Sequence, residues 1–334
     1  MGPMVRMLVT LALLGFAASL LFAQTNTDPP PAWLFPIDVP GQSAAVADQN
    51  QVMHLARSKI TFTTAELTDL FFAPDWYPQT HDVLPQIVAY GRAPDVYACG
   101  YCHSPSGQGR PENAALAGLP VAYIEQQVAD FKSGARRRLW TGPYRPSDLM
   151  THLALFVTPD EVASAAQYFS KQRLLARVAV VERTHVPRAR VAGLVYASID
   201  GGGDEELGDR LLEFSPDPER HEKRDEALRY IAYVPVGSLS RGRAVAAGSG
   251  AATRNSGTRC ATCHGDQLRG VGLVPGLAGH SPSYLLRQLI AFKTGARAGP
   301  SGVPMQSVVA GLQLRDMIAV AAYAASLPAA APPN

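Results

Sequence analysis

A mainly α-helical protein made of two copies of one small domain, with a small β-rich insert between them, is the fold class this sequence predicts. Three observations predict it. The run Cys-x-x-Cys-His occurs twice, the sequence around the first run recurs around the second, and the stretch between the copies changes to β-leaning runs broken by turn residues.

The two runs, Cys99-Gly100-Tyr101-Cys102-His103 and Cys260-Ala261-Thr262-Cys263-His264, hold all four cysteines of the 334-residue chain. Thiols one helical turn apart can add to the two vinyl groups of a heme, and the adjacent histidine then lies under the iron as its fifth ligand. Cys99, Cys102 and His103 are therefore candidates to hold a first heme c, and Cys260, Cys263 and His264 a second. Three other readings compete. A four-cysteine zinc site tolerates paired C-x-x-C runs, but such pairs usually lie within tens of residues and need no following histidine. A redox dithiol more plausibly carries one such motif in a strand-helix unit. Two structural disulfides are the third alternative.

The amino terminus reads as an export signal: Met1 to Arg6 are a short basic start, Met7 to Leu21 an apolar run, and Ala23 a small residue at the expected cleavage point. Covalent heme is attached after export, so a periplasmic location agrees with the motifs. Association with a membrane is expected only if this signal, 1–23, stays uncleaved. The formal net charge is +2 and charged residues are 17% of the chain, below the roughly 25% usual for soluble domains. No nucleic-acid partner is implied.

Residues 24–81 form an N-terminal extension. Pro29-Pro30-Pro31 and Pro36 favour an extended start, Thr63-x-x-Glu66 is a capping box opening a short helix toward Phe72, and Trp33, Phe35, Trp76 and Tyr77 supply apolar side chains to clamp onto a folded body.

The first copy is placed at 82–172 and the second at 239–328, with a tail at 329–334. A displacement of 161 residues carries Cys99 onto Cys260, Leu116-Ala117-Gly118 onto Leu277-Ala278-Gly279, and Tyr123, Gln127, Phe131, Lys132, Gly134 and Arg136 onto Tyr284, Gln288, Phe292, Lys293, Gly295 and Arg297. That is the mark of an internal repeat. Val121 to Lys132 and Pro282 to Lys293 have apolar residues at helical spacing with a glycine just beyond. Lys132 and Arg136, like Lys293 and Arg297, are expected one turn apart on that helix, facing solvent, heme propionates or a partner. The register then changes by six residues. Met150 precedes Tyr168, and Met305 precedes Tyr323, by the same 18 residues. Thr158 to Ser170 and Gln313 to Leu327 read as the last helices, so both methionines are expected in a loop just before them. A lone methionine is usually core packing; the shared position makes Met150 and Met305 the candidates for sixth iron ligands. Met317 and Met53 are weaker rivals, and His152 could ligate only after a loop slip.

Between the copies, 173–238 contains β-leaning runs at Arg177 to Val181, Val191 to Ile199, Leu211 to Phe214 and Tyr230 to Val236. It reads as a docking module, a rigid spacer, or a cover for an apolar face.

The second half, with Cys260-Ala261-Thr262-Cys263-His264-Gly265, Pro275-Gly276-Leu277-Ala278-Gly279, the Tyr284-to-Arg297 stretch and Met305, resembles the cytochrome c4 and c553 type of class I cytochrome c. The first half, with Gly118-Leu119-Pro120, the Tyr123-to-Arg136 stretch and Met150, is similar to the same family. The resemblance covers a little over half of the chain after the signal and implies a diheme periplasmic electron carrier with His/Met-ligated irons. It implies a redox dehydrogenase as donor and an oxidase or another cytochrome as acceptor. The family usually has a proline whose carbonyl fixes the proximal imidazole. Pro275 fits that place, but the first copy has Ala114 there, which implies hemes of different potential. A cytochrome subunit of a periplasmic dehydrogenase complex is the alternative. A diheme peroxidase is disfavoured by the matched methionines, and the diheme thiosulfate dehydrogenases, which use a distal cysteine, by the lack of a fifth cysteine.

Overall fold

The computed structural model describes residues 29–37, 48–249 and 259–329. The signal expected at 1–23 and all but the first residue of the tail expected at 329–334 lie outside the described residues.

Among the described residues of the extension, Pro31 is extended at φ −60° and ψ 133°, as its prolines favour, and a turn of 3-10 helix follows at Ala32–Leu34. The hairpin β1 (Val52–His54) and β2 (Thr61–Thr63) follows, with Met53 opposite Phe62. Thr63 then caps α1 (Thr64–Thr68). Its hydroxyl accepts from the Glu66 amide at 3.2 Å while Glu66 Oε2 accepts from the Thr63 amide at 2.7 Å, the reciprocal pair that the spacing predicts. Trp76 and Tyr77 are buried, Trp76 edge-on to Phe62 with centroids 4.7 Å apart.

The first half contains α2 (Gln86–Ala89), α3 (Cys99–His103), α4 (Val121–Ser133), α5 (Arg145–Phe156) and α6 (Pro159–Lys171). Gly134, left-handed at φ 75°, ends α4 as the pattern requires. Thr158 and Glu161 form a capping box at the start of α6. The apolar faces of α4, α5 and α6 bury Ile124, Leu153, Ala166 and Phe169 against Ile87 and Val88 of α2.

The segment after α6 holds β3 (Val178–Glu182), β4 (His185–Pro187), β5 (Ala189–Ala192), β6 (Val195–Ser198), β7 (Asp204–Glu206), β8 (Leu212–Phe214), α7 (Pro218–Glu222) and β9 (Tyr230–Val234). Five strands form one mixed sheet in the order β3-β9-β8-β6-β5, and β4 pairs with β7. The run expected at Val191 to Ile199 is instead a hairpin. Gly193 (φ 58°) and Leu194 (φ 72°) are both left-handed, the geometry a two-residue turn between antiparallel strands needs. A leucine in that conformation is what hid the turn from the sequence.

The second half contains α8 (Ser238–Ala246), α9 (Ala261–His264), α10 (Pro282–Lys293), α11 (Val303–Ala310) and α12 (Leu314–Ser326). Here α8 crosses α12 at Gly242, where a Cβ would lie 2.0 Å from the Ala319 carbonyl oxygen, so only glycine permits the approach. The first half has only the one-turn α2 at its start, and the extension packs nearby in its place: Ala73 lies within reach of Gly100 in α3. Leu34 and Phe35 join the second half's core together with Leu211, Val234 and Tyr144. Phe35 stacks on Trp140 at 5.1 Å and meets Tyr144 edge-on at 5.2 Å, so the extension's aromatics do clamp the body. Among the described residues no single helix is long and apolar enough to cross a membrane.

Two expectations are corrected. Met150 and Met305 lie within α5 and α11, not in loops; Pro146 and Pro304 sit at the first turns of these helices, where the missing N–H costs nothing. Arg136 and Arg297 are not on the helices of Lys132 and Lys293. The left-handed Gly134 and Gly295 turn the chain away first, and the two arginines pair with each other in an antiparallel bridge.

Candidate functional site

Each Cys-x-x-Cys-His run winds into about one turn of helix, which brings its two sulfurs to one side. The turn ends abruptly in both halves on a positive φ, at Ser104 (69°) and at Gly265 (74°). A Cβ at Gly265 would stand 2.6 Å from the Gly270 carbonyl oxygen. Ser104 finds its own accommodation, its hydroxyl donating to the Gly109 carbonyl at 3.4 Å.

Past that reversal the chain returns beneath the histidine. The Nδ1 of His103 lies 2.8 Å from the Ala114 carbonyl oxygen, and that of His264 lies 2.9 Å from the Pro275 carbonyl oxygen. A carbonyl can only accept, so Nδ1 carries the proton and Nε2 keeps its lone pair. Burial lowers both imidazole pKa values, against the carbonyl bonds that raise them. Each histidine is thus a neutral imidazole in a fixed tautomer, the state an iron ligand needs. The absence of a proline in the first copy changes nothing here, because the acceptor is a backbone carbonyl that alanine supplies equally; the expected difference between the hemes loses this ground.

The cysteines form no disulfide, and the two motifs lie against separate cores. Burial pushes Cys99 up to about 12 and raises Cys102 and Cys260. Cys99 packs against the first half's core and Cys260 against the second's, so no four-cysteine cage forms.

The methionines follow the same division. Met150 is half-buried against the core that Cys99 touches, and Met305 against the core that Cys260 touches. Their rivals are otherwise occupied. Met317 is buried in α12, Met53 packs against the Trp76 cluster, and His152 is bound to Asp95 Oδ1 at 3.1 Å and stacked on Tyr97 at 5.8 Å.

Sequence reasoning missed what the repeated arginines do. Arg136 Nη2 donates to Tyr284 Oη at 3.1 Å and to Gln288 Oε1 at 2.8 Å; Arg297 Nη2 donates to Tyr123 Oη at 2.8 Å and to Gln127 Oε1 at 2.7 Å. Each half therefore grips the other with the equivalent residues, a self-complementary contact like that of a two-fold dimer. Each guanidinium also lies over the phenylalanine of its own half, Arg136 4.6 Å from the Phe131 ring centre and Arg297 4.4 Å from that of Phe292. Burial raises the Tyr284 phenol, but the two guanidiniums outweigh it and bring its pKa below the ordinary value. The signal was present: the same tyrosine, glutamine and arginine recur in both copies.

No protein-family model matches the chain. A thiosulfate dehydrogenase electron acceptor of Thiomonas intermedia is 26% identical over 70% of this chain and 81% of that protein, and cytochrome c4 of Azotobacter vinelandii is 24% identical over 67% and 82%. Cytochrome c-554(547) of Halothiobacillus neapolitanus is 40% identical over 76 residues, which cover 20% of this chain and 84% of that protein. This chain is a diheme c-type cytochrome of the c4 kind. As such a cytochrome it carries two covalently bound hemes c and transfers electrons.

Proposed function

We propose that this cytochrome passes single electrons in the periplasm from a dehydrogenase to an oxidase or another cytochrome. Its first heme is held by Cys99, Cys102 and His103 with Met150 as sixth ligand, its second by Cys260, Cys263 and His264 with Met305. When bound, heme iron supplies reversible one-electron chemistry, and thioether sulfur opposite an imidazole favours the ferrous state relative to two imidazoles. The observation that carries the reading is the pair of matched hydrogen bonds from Nδ1 of each histidine to a carbonyl eleven residues on. They orient both imidazoles before any iron is bound. A methionine on each core would hold the sixth position of the iron there, which supports a carrier over a peroxidase. Arg136 and Arg297, whose hydrogen bonds go to neutral amide and phenol oxygens, suit the carboxylates of heme propionates near the junction of the halves.

The same reading assigns 82–172 and 239–328 as duplicated cytochrome domains, with 24–81 an extension and 173–238 an insert. A thiosulfate dehydrogenase electron acceptor among the relatives favours a second form of the proposal, in which the chain serves as the cytochrome subunit of a dehydrogenase complex. In both forms Met150→Ala and Met305→Ala should each remove about half of the weak far-red sulfur-to-iron absorption of the oxidised protein. A band that survives either change intact sinks that ligand assignment.

A further inference from the structure

The two heme motifs meet solvent differently. In the first, Gly100 and Tyr101 between the cysteines are buried, and so is the following loop, where Ser104, Ser106 and Gln108 are 5%, 8% and 4% exposed. In the second, Ala261, Thr262 and Cys263 are exposed, and the following loop presents Val271 at 57% and Leu273 at 70% exposure.

The cover over the first motif has an identifiable source. Residues 221–226, the end of α7 and the turn after it, form a clasp. Arg224, left-handed at φ 57°, lays its guanidinium 3.4 Å from the centre of the Tyr101 ring and donates to the carbonyls of Tyr101 at 2.9 Å and Leu67 at 3.1 Å. Glu226 Oε2 accepts from the amide of Ser106 at 3.1 Å and from its hydroxyl at 2.7 Å. Arg110, in the covered loop, reaches back to the His221 carbonyl at 2.9 Å. The extension braces the clasp from the other side: Trp76 Nε1 donates to the Lys223 carbonyl at 2.7 Å, and Tyr77 Oη to Asp225 Oδ1 at 3.0 Å. The motif itself is adapted to this cover. A Cβ at Gly100 would stand 2.8 Å from the Val88 carbonyl oxygen and 2.9 Å from Ala73 Cβ, whereas the second motif carries Ala261 at that place.

A thioether bond holds the heme edge that bears it against its cysteine, so cover over the cysteines is cover over that edge. We propose that this protein exchanges electrons with its partners at the second motif, and that the 221–226 clasp makes the first an inner centre served through the second. The inference rests on the heme assignment above. The partner it fits is a redox protein whose docking face is apolar at the middle and acidic at the rim. The exposed Val271 and Leu273 lie in a stretch, 259–276, whose charged residues are Arg259, Arg269 and Asp266, all exposed and net positive. Each exchange moves one electron, lost by the partner and gained by this protein, with no bond made or broken.

Stopped-flow reduction of the oxidised holoprotein by ferrous EDTA, an anionic one-electron donor, tests the assignment at low ionic strength. Arg269→Glu should slow reduction of both hemes about threefold or more, an effect that fades at high salt. Arg92→Glu, the same charge change at an exposed position of the first half, should leave the rate unchanged. Equal slowing by both variants, or slowing by Arg92→Glu alone, overturns the port. Hydrogen exchange of the holoprotein tests the clasp: amides of 100–109 should exchange slowly and those of 261–272 fast. Arg224→Gly suits the left-handed backbone and should speed exchange at 100–109 about tenfold while sparing 261–272. Unchanged protection at 100–109 overturns the clasp; if this variant does not fold, the Arg269 and Arg92 pair still decides. Pyridine hemochrome absorption separates the two levels of the argument, because a count below two hemes per unaltered chain refutes the heme assignment and leaves nothing for a port to serve.

Discussion

Among the described residues, the first heme motif lies under two segments that have no counterpart over the second. Gly100 and Tyr101 are pressed beneath Val88, Ala73 and Arg224, while Ala261 and Thr262 face outward. Yet the parts that prepare each imidazole, one helical turn, a positive-φ reversal and a returning carbonyl, are the same in both halves. The geometry around each histidine is therefore local and alike in both halves, whereas the cover over the first motif comes from chain far from it in sequence.

The largest effect that sharpens this comparison is expected at the helix crossing that only the second half possesses. Gly242→Ala forces a methyl to within 2.0 Å of the Ala319 oxygen, against backbone that cannot yield as a side chain does. It should cost about 3 kcal/mol by overpacking, read as a lower urea midpoint for the second half. A loss under about 1 kcal/mol would mean that α8 shifts freely.

The next comparison is between the motifs themselves. Gly100→Ala should cost about 2 kcal/mol because Val88 and Ala73 crowd it, whereas Ala261→Gly should cost under about 1 kcal/mol, the ordinary helix-propensity difference. Equal costs in thermal unfolding would break the distinction between a covered and an open motif.

The smallest effect concerns the caps of the last helices, which match across the halves: Arg92 pairs with Glu161 at 2.9 Å, and Arg241 with Asp316 at 2.8 Å. The hydrogen bond from Arg92 holds the Glu161 carboxyl down at about 2, helped by the Thr158 amide and hydroxyl and opposed by slight burial. Its unfolded value is about 4.3, so the contribution is fully present above that pH and is lost as the pH falls toward 2. The pair is exposed, so the change should stay under about 1 kcal/mol. Glu161→Gln should flatten this part of the acid dependence when urea midpoints at pH 6 and pH 3 are compared. An unaltered slope would show that the pair contributes nothing.

Much was legible in the chain because it depends on near neighbours. The Thr63–Glu66 box, the Gly134 stop of α4 and the span of α10 follow from spacing alone. Other features were not legible. Nothing near Met150 or Met305 announces that the segment before the last helix is itself helical, since Pro146 and Pro304 read equally as loop residues. Arg136 and Arg297 looked like helix-face cations because their partners lie in the opposite copy. Leu194 concealed a hairpin by adopting a backbone conformation that leucine rarely takes.

By itself the sequence determined the covalent chemistry at each centre, the doubling of that chemistry, and the helices that carry it, because thiol spacing, capping and apolar periodicity act within one or two turns of chain. Only the tertiary structure decided that the halves hold each other through crossed arginines and that, among the described residues, the first motif is covered while the second is exposed. Those outcomes rest on contacts such as Glu226 with Ser106 and Arg224 with Tyr101, between residues more than a hundred positions apart. Local pattern cannot express them, since each joins side chains that are ordinary in their own surroundings and acquire a role only where the folded chain brings them together.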